Sequence, residues 1–293
     1  MFGPDLSLEA DFMSNNLTIA FQGEPGAYSE LACLNVYPDS VRIPSLTFEE
    51  AFQKVENGDA ELAMIPLENS TAGRVEEIYH QIPNTQLFVI GEHFEPISHC
   101  LLAARGDQLE ALTHVGSHPQ ALAQCTDHID KLGLKRVVMG DTAGAAQLLA
   151  DQPQPGHAAI ASSLAAELYG LEILQRDFQD RSGNTTRFLV FSREDRMAAY
   201  LDGERYITSL MFRVRNRPAA LYKAMGGFAT NGINLVKLES YMPDDSFQSS
   251  QFYLDMEVHR DERRFQYALE ELEFYSETVR LIGTYPAHGH RYE

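Results

Sequence analysis

The chain has 293 residues, enough for two domains or three small lobes, and its 44% hydrophobic and 22% charged content is that of a globular protein rather than a disordered one. With 42 acidic against 23 basic residues the net charge is −19, a surface that repels phosphate backbones and anionic bilayers, so neither nucleic acid nor membrane is expected as a partner. The deficit is concentrated: residues 1–193 hold 11 basic and 26 acidic side chains, so an anionic ligand there needs a local cationic or dipolar pocket.

Residues 1–16 carry Asp5, Glu9 and Asp11 with no apolar core and read as a flexible leader, not a signal peptide. Leu17–Phe21 is a short apolar run stopped by Gly23, Pro25 and Gly26, hence a strand, and a helix follows from Tyr28. The pattern then alternates: a helix at Thr47–Glu56, a strand at Leu62–Leu67, a helix near Val75 and a strand at Leu87–Ile90. A second α/β group runs through His99–Ala104, Thr113–Gly116, a helix from Pro119, Arg136–Met139, an Ala-rich helix after Thr142, and Ala158–Ala161. A strand at Leu189–Phe191 closes it. Beyond a polar linker, Ile207–Val214, Pro218–Thr230, Ile233–Tyr241, Gln251–Val258, Glu262–Tyr275 and Thr278–Tyr285 give the order βαββαβ. The expected division is a leader (1–16), a two-lobed α/β domain (17–193, second lobe about 98–178), a linker (194–206), an α+β domain (207–285) and a tail (286–293).

Three cysteines, Cys33, Cys100 and Cys125, form no C-x-x-C pair, which fits reduced thiols and a cytoplasmic protein. His114 and His118 have a metal-like spacing, but Gly116 and Pro119 break the helix that would align them, so no metal is expected. Walker A, G-x-G-x-x-G after a strand and the G-x-S-x-G elbow are missing from the sequence, which disfavours phosphoryl transfer and redox work.

Four clusters put small polar residues at strand ends or helix starts, where unpaired N–H groups and the helix dipole favour an anion. Gly26-Ala27-Tyr28 follows the first strand; without a ligand it is a strand-to-helix turn. Glu68-Asn69-Ser70-Thr71 follows a buried strand, and a capping role accounts for one of its polar residues but not for all. Ser117, His118 and Gln120 open one helix and Thr142-Ala143-Gly144 another. Asn184-Thr185-Thr186-Arg187-Phe188 supplies an amide, two hydroxyls and one of the few arginines of this half. Neutral donors with few cations suit a small carboxylate ligand.

At these clusters the sequence resembles the prephenate dehydratase family, and residues 207–285 resemble an ACT domain; the motif carriers are Gly26-Ala27-Tyr28-Ser29, Pro66-Leu67-Glu68-Asn69-Ser70, His118-Pro119-Gln120-Ala121-Leu122 and Asn184-Thr185-Thr186-Arg187-Phe188. The resemblance implies a bilobal α/β fold like type II periplasmic binding proteins plus an α+β ACT module. It implies the cofactor-free conversion of prephenate to phenylpyruvate, water and carbon dioxide, or of arogenate to phenylalanine. By the same likeness Thr186 bonds the departing hydroxyl, with Glu68 or a water supplying the proton. Arg187 and the N–H groups near Ser70, Ser117 and Thr142 hold substrate carboxylates, and Phe188 shapes the pocket. L-Phenylalanine is the implied effector, at Asn216, Arg217, Pro218, Ala219, Ala220, Leu221, Glu239 and Ser240, in a homodimer or homotetramer.

Two motifs depart from the family pattern: Ala219-Ala220-Leu221 stands for Gly-Ala-Leu, and Glu239-Ser240-Tyr241-Met242 for Glu-Ser-Arg-Pro. Asp141-Thr142-Ala143-Gly144-Ala145-Ala146-Gln147 and Gly26-Ala27-Tyr28-Ser29 are similar to arogenate dehydratases, and with only sixteen residues ahead of Leu17 no fused chorismate mutase helix is expected. The competing class is a non-enzymatic sensor of amino acids or carboxylates, since two-lobed folds and ACT modules also serve binding proteins.

Overall fold

A computed structural model describes residues 17–242 and 251–292; the leader expected at 1–16 lies outside the described residues. The chain divides into two compact units, one of residues 1–74 with 95–188 and one of 75–94 with 189–293.

The first unit opens with β1 (Thr18–Gln22), α1 (Tyr28–Val36), β2 (Val41–Ser45), α2 (Phe48–Asn57), β3 (Leu62–Asn69) and β4 (Gly73–Arg74). Strands β1 and β2, and β1 and β3, pair in parallel, as crossover helices require. Helix α2 starts where the sequence signals it: Thr47 Oγ1 accepts from the Glu50 N–H, and Glu50 reaches back to the Leu46 N–H. Its stop is Gly58 in the left-handed region.

In chain order, with residues 75–94 and those from 189 on counted to the second unit, there follow α3 (Glu76–Gln81), β5 (Phe88–Pro96), β6 (Cys100–Ala103), β7 (His114–Ser117), α4 (Pro119–Gln124), α5 (Thr126–Lys131), β8 (Lys135–Val138), α6 (Thr142–Asp151), β9 (His157–Ala161), α7 (Ser163–Tyr169), β10 (Glu172–Gln175) and β11 (Thr185–Ser192). One mixed sheet has the order β2-β1-β3-β11-β5 with β4 on β3; the second, β10-β6-β9-β7-β8, is the expected second α/β group. Its core includes Leu101, Val115, Leu122, Ile129, Ile160 and Phe178, all buried. Asp180, ahead of the last cluster, accepts from the Asp127 and His128 N–H groups and so caps the start of α5. Burial raises its pKa, but these donors and the His128 ring outweigh that and hold the carboxyl below its usual range. All three cysteines are buried free thiols.

The second unit carries β12 (Tyr206–Val214), α8 (Ala220–Thr230), β13 (Asn234–Tyr241), β14 (Gln251–Glu257), α9 (Arg263–Tyr275) and β15 (Ser276–Pro286), the βαββαβ order, in an antiparallel sheet β13-β14-β12-β15. Phe212, Phe228, Leu254, Phe265 and Leu272 fill the core against the two helices, each burial worth about 1.5–3 kcal/mol. Segment 75–94 belongs here: Arg280 donates to the carbonyls of Ile82 and Leu87, and Tyr79 meets Tyr253 edge-on at 5.6 Å. Residues 289–292 form a 3₁₀ turn whose Arg291 grips both oxygens of Glu92. Among the described residues, no helix is long and apolar enough to cross a membrane.

The helix expected from Pro218 begins two residues later, at Ala220, because Ala219 turns the chain in the left-handed region (φ 61°), where a Cβ is strained. Ala219→Gly is therefore expected to stabilise the protein by about 0.5–1 kcal/mol, the relieved strain less the extra entropy of an unfolded glycine. The denaturant midpoint reads this directly, and an unchanged or lower midpoint counts against strain at this turn.

Candidate functional site

Strand β11 begins at Thr185, not at Leu189, so Thr185–Phe188 are strand residues rather than a loop. Opposite them stands the end of β3, and the side-chain and backbone bonds pair Glu68 with Arg187, Asn69 with Thr186, and Ser70 with Thr185, a descending antiparallel register. Strand side chains alternate between faces. Arg187 Nη1 donates to Glu68 Oε1 at 3.1 Å on one face, with the arginine only 2% exposed. Asn69 and Thr186 meet on the other. Ser70 pins the register, donating to the Gly183 carbonyl and accepting from the Thr185 N–H.

On the Asn69 face lies a connected set of neutral polar groups. Asn69 Oδ1 accepts from the N–H groups of Thr71 (3.0 Å) and Ala72 (2.9 Å) and from the Thr71 hydroxyl (2.8 Å). Its Nδ2 donates to Asn184 Oδ1 at 2.7 Å and to Thr186 Oγ1 at 2.9 Å. Asn184 Nδ2 in turn donates to Gln124 Oε1 at 3.1 Å, and Gln124 Nε2 donates to Thr71 Oγ1 at 2.9 Å. Beyond Gln124, its Oε1 lies 2.8 Å from His99 Nε2, and His99 Nδ1 lies 2.7 Å from the Tyr28 hydroxyl. Burial pushes the Tyr28 phenol well above its usual range and lowers His99, against which the Gln124 bond pulls upward. Because Asn69 fills one lone pair of the Thr186 oxygen, the threonine proton is left for a ligand, and Thr186 donates to none of the described residues.

The structure thus gathers Tyr28, Asn69, Thr71, Asn184 and Thr186 from sequence positions far apart. The other sequence-derived residues lie outside this set of side-chain bonds. Gly26 donates its N–H to Glu30 and accepts from Ser162 Oγ through its carbonyl, and a Cβ there would lie 2.8 Å from Ala165 Cα, so its bareness serves close packing on α7. Ala27 precedes α1 as its N-cap residue. Ser117 is fully buried and donates to the Ile160 carbonyl. His118 caps α4 by accepting from the Gln120 N–H. Asp141 caps α6 through the Gly144 N–H at 2.6 Å, ahead of Thr142 and Ala143, and a Cβ on Gly144 would strike that carboxylate. Phe188 is buried. Asn216, Arg217, Pro218, Ala219, Ala220, Leu221, Glu239 and Ser240 all belong to the second unit, where Glu239 accepts from Lys237 Nζ at 3.0 Å. Among the described residues no cluster of His, Cys, Asp or Glu could hold a metal ion.

Sequence reasoning missed Gln124 and His99. The signal for Gln124 was its position four residues after Gln120 on a short helix, an amide between buried Leu122 and Cys125. For His99 there was only its place ahead of an apolar strand.

Residues 19–196 match the sequence profile of the prephenate dehydratase family. A bifunctional N-acyl-homoserine lactone acylase/prephenate dehydratase of Komagataeibacter europaeus is 46% identical over 94% of this chain and 98% of its own length. Arogenate dehydratase 2 of Petunia hybrida is 39% identical over 93% of this chain and 72% of its own. Among solved structures, prephenate dehydratase of Arthrobacter aurescens in complex with L-Phe superposes with a TM-score of 0.84 at 30% identity, covering 93% of this chain and 92% of that one.

Proposed function

Since the chain belongs to the prephenate dehydratase family, a family of hydro-lyases, we propose that it converts prephenate to phenylpyruvate, water and carbon dioxide, in the cytoplasm. The observation that carries the reading is the Thr186 hydroxyl, turned by Asn69 into a donor with its proton free. In this reaction the bond to the ring carboxylate breaks and its electron pair enters the ring. The carbon–oxygen bond across the ring breaks in turn, and the departing oxygen takes one proton to leave as water. Aromatisation drives the step, so the protein has mainly to hold the substrate and bond the leaving oxygen. Thr186 serves as that donor. A threonine hydroxyl is too weak an acid to give up its proton, and Glu68 leaves β3 on the face away from Asn69, so solvent water is the proposed proton source. Gln124 Nε2 and Asn184 orient the substrate.

The βαββαβ segment of the second unit is proposed as an ACT module that binds L-phenylalanine around Asn216–Leu221 and Glu239–Ser240 in a homodimer or homotetramer. The L-Phe complex of the Arthrobacter aurescens relative supports this. Incubating the purified chain with prephenate or with arogenate, each with and without phenylalanine, tests both proposals. Phenylpyruvate is expected from prephenate at a higher kcat/KM than phenylalanine from arogenate, with the rate falling as phenylalanine is added. A higher kcat/KM with arogenate reassigns the substrate, turnover of neither favours a sensor, and a rate indifferent to phenylalanine removes the effector.

A further inference from the structure

Hydrogen-bond polarity can be read through the amide chain from the end that cannot rotate. The N–H groups of Thr71 and Ala72 are fixed by the backbone, so the atom of Asn69 that faces both must be its oxygen. Its nitrogen therefore faces Asn184, which must present an oxygen there and its nitrogen to Gln124. Gln124 is then bound to show its oxygen toward Asn184, and the same oxygen faces His99 Nε2 at 2.8 Å. A flip at any one amide would set like against like, oxygen on oxygen or nitrogen on nitrogen, at both of its neighbours.

We infer that His99 carries its proton on Nε2 and is a positioning residue: its ring N–H holds the Gln124 amide so that Nε2 of Gln124 stays on Thr71, whose hydroxyl also bonds Asn69. Two donors then converge on one Gln124 oxygen, from Asn184 and from His99. Nδ1 of His99 is left to accept, and the single Tyr28 proton has two acceptors within reach, Nδ1 at 2.7 Å and the Ser98 carbonyl at 2.9 Å. The shorter contact belongs to Nδ1. Burial of the residue, 3% exposed, favours this neutral form, and the His99 backbone N–H, donating to Gln179 Oε1, keeps the residue itself in place. One Gln124 Nε2 proton is held by Thr71 Oγ1; that the other meets the substrate is the catalytic part of the inference, and it rests on the dehydratase reading.

Two measurements on the full chain test it. Ring ¹⁵N shifts of histidine-labelled protein, with the His99 signal identified by its loss in His99→Gln, are expected to show a protonated Nε2 and a bare Nδ1. A proton on Nδ1 overturns the inference, and this readout needs no substrate. In kinetics, His99→Leu is expected to lower kcat about tenfold, the worth of one net hydrogen bond, with KM changed less than about threefold. His99→Gln, which keeps a donor at that reach, should recover most of the loss. Equal loss in both variants, tracking their melting temperatures, would show packing alone. A wild-type chain inactive on both substrates would sink the dehydratase reading and leave the tautomer standing.

Discussion

Replacing Thr186 by alanine is expected to lower kcat by about 10²–10³-fold while KM moves only a few-fold, because a bond to a leaving oxygen strengthens as that oxygen gains charge. The geometry makes the residue hard to replace. Asn69 Nδ2 is locked toward Thr186 by backbone groups two and three residues downstream, so the hydroxyl is held with its proton outward. Thr186→Ser keeps the hydroxyl and should keep most of the rate. Truncation also leaves one proton of the half-buried Asn69 amide unpaired, a cost of up to about 1 kcal/mol, so the folded fraction has to be checked by circular dichroism. Unchanged turnover in a folded Thr186→Ala protein removes the proposed role.

Gly26→Ala is expected to destabilise the protein by about 3 kcal/mol, joining the strain of a side chain at φ 88° to overpacking against a helix. The added Cβ would lie 2.8 Å from Ala165 Cα and 2.9 Å from its Cβ, and neither neighbour is a flexible side-chain end that could swing aside. Moving the turn would also break the Ser162 bond to the Gly26 carbonyl, 2.6 Å long, whose hydroxyl caps α7. Urea denaturation gives the loss, and a loss under about 1 kcal/mol would mean that α7 yields more readily than its packing indicates.

Elements with strong apolar runs are legible in the sequence, and their strands fall within a few residues of expectation: the strand expected at Leu62–Leu67 spans Leu62–Asn69, and that expected at Ile207–Val214 spans Tyr206–Val214. Strands β2 and β10 are not, because neither has a fully buried apolar face to impose alternation; Val41 and Glu172 are exposed and Pro44 reads as a breaker. Starting the last strand of the first unit at Leu189 rather than Thr185 had a larger effect. As a loop, Thr186-Arg187 can aim both side chains at one ligand; as a strand, period two sends them to opposite faces. The clusters around Asn69 and Asn184 were visible as dense polar stretches, but their join through Gln124 and His99 was not. Those bonds span 60, 53 and 25 residues, and local pattern carries no information at such separations.

The placement of the thiols makes the chain its own reporter. Cys33, Cys100 and Cys125 all fall in the unit of residues 1–74 and 95–188, and the sequence has no tryptophan to follow by fluorescence. Burial raises all three thiols, Cys125 to about 12, so alkylation at neutral pH waits on an opening that exposes the sulfur and restores an ordinary thiolate fraction. Pulse alkylation read by intact mass counts such openings in whole steps, while far-ultraviolet dichroism follows both units. Where the two signals coincide along a denaturant series the units melt as one; where they part, the mass trace follows the unit that holds Thr186.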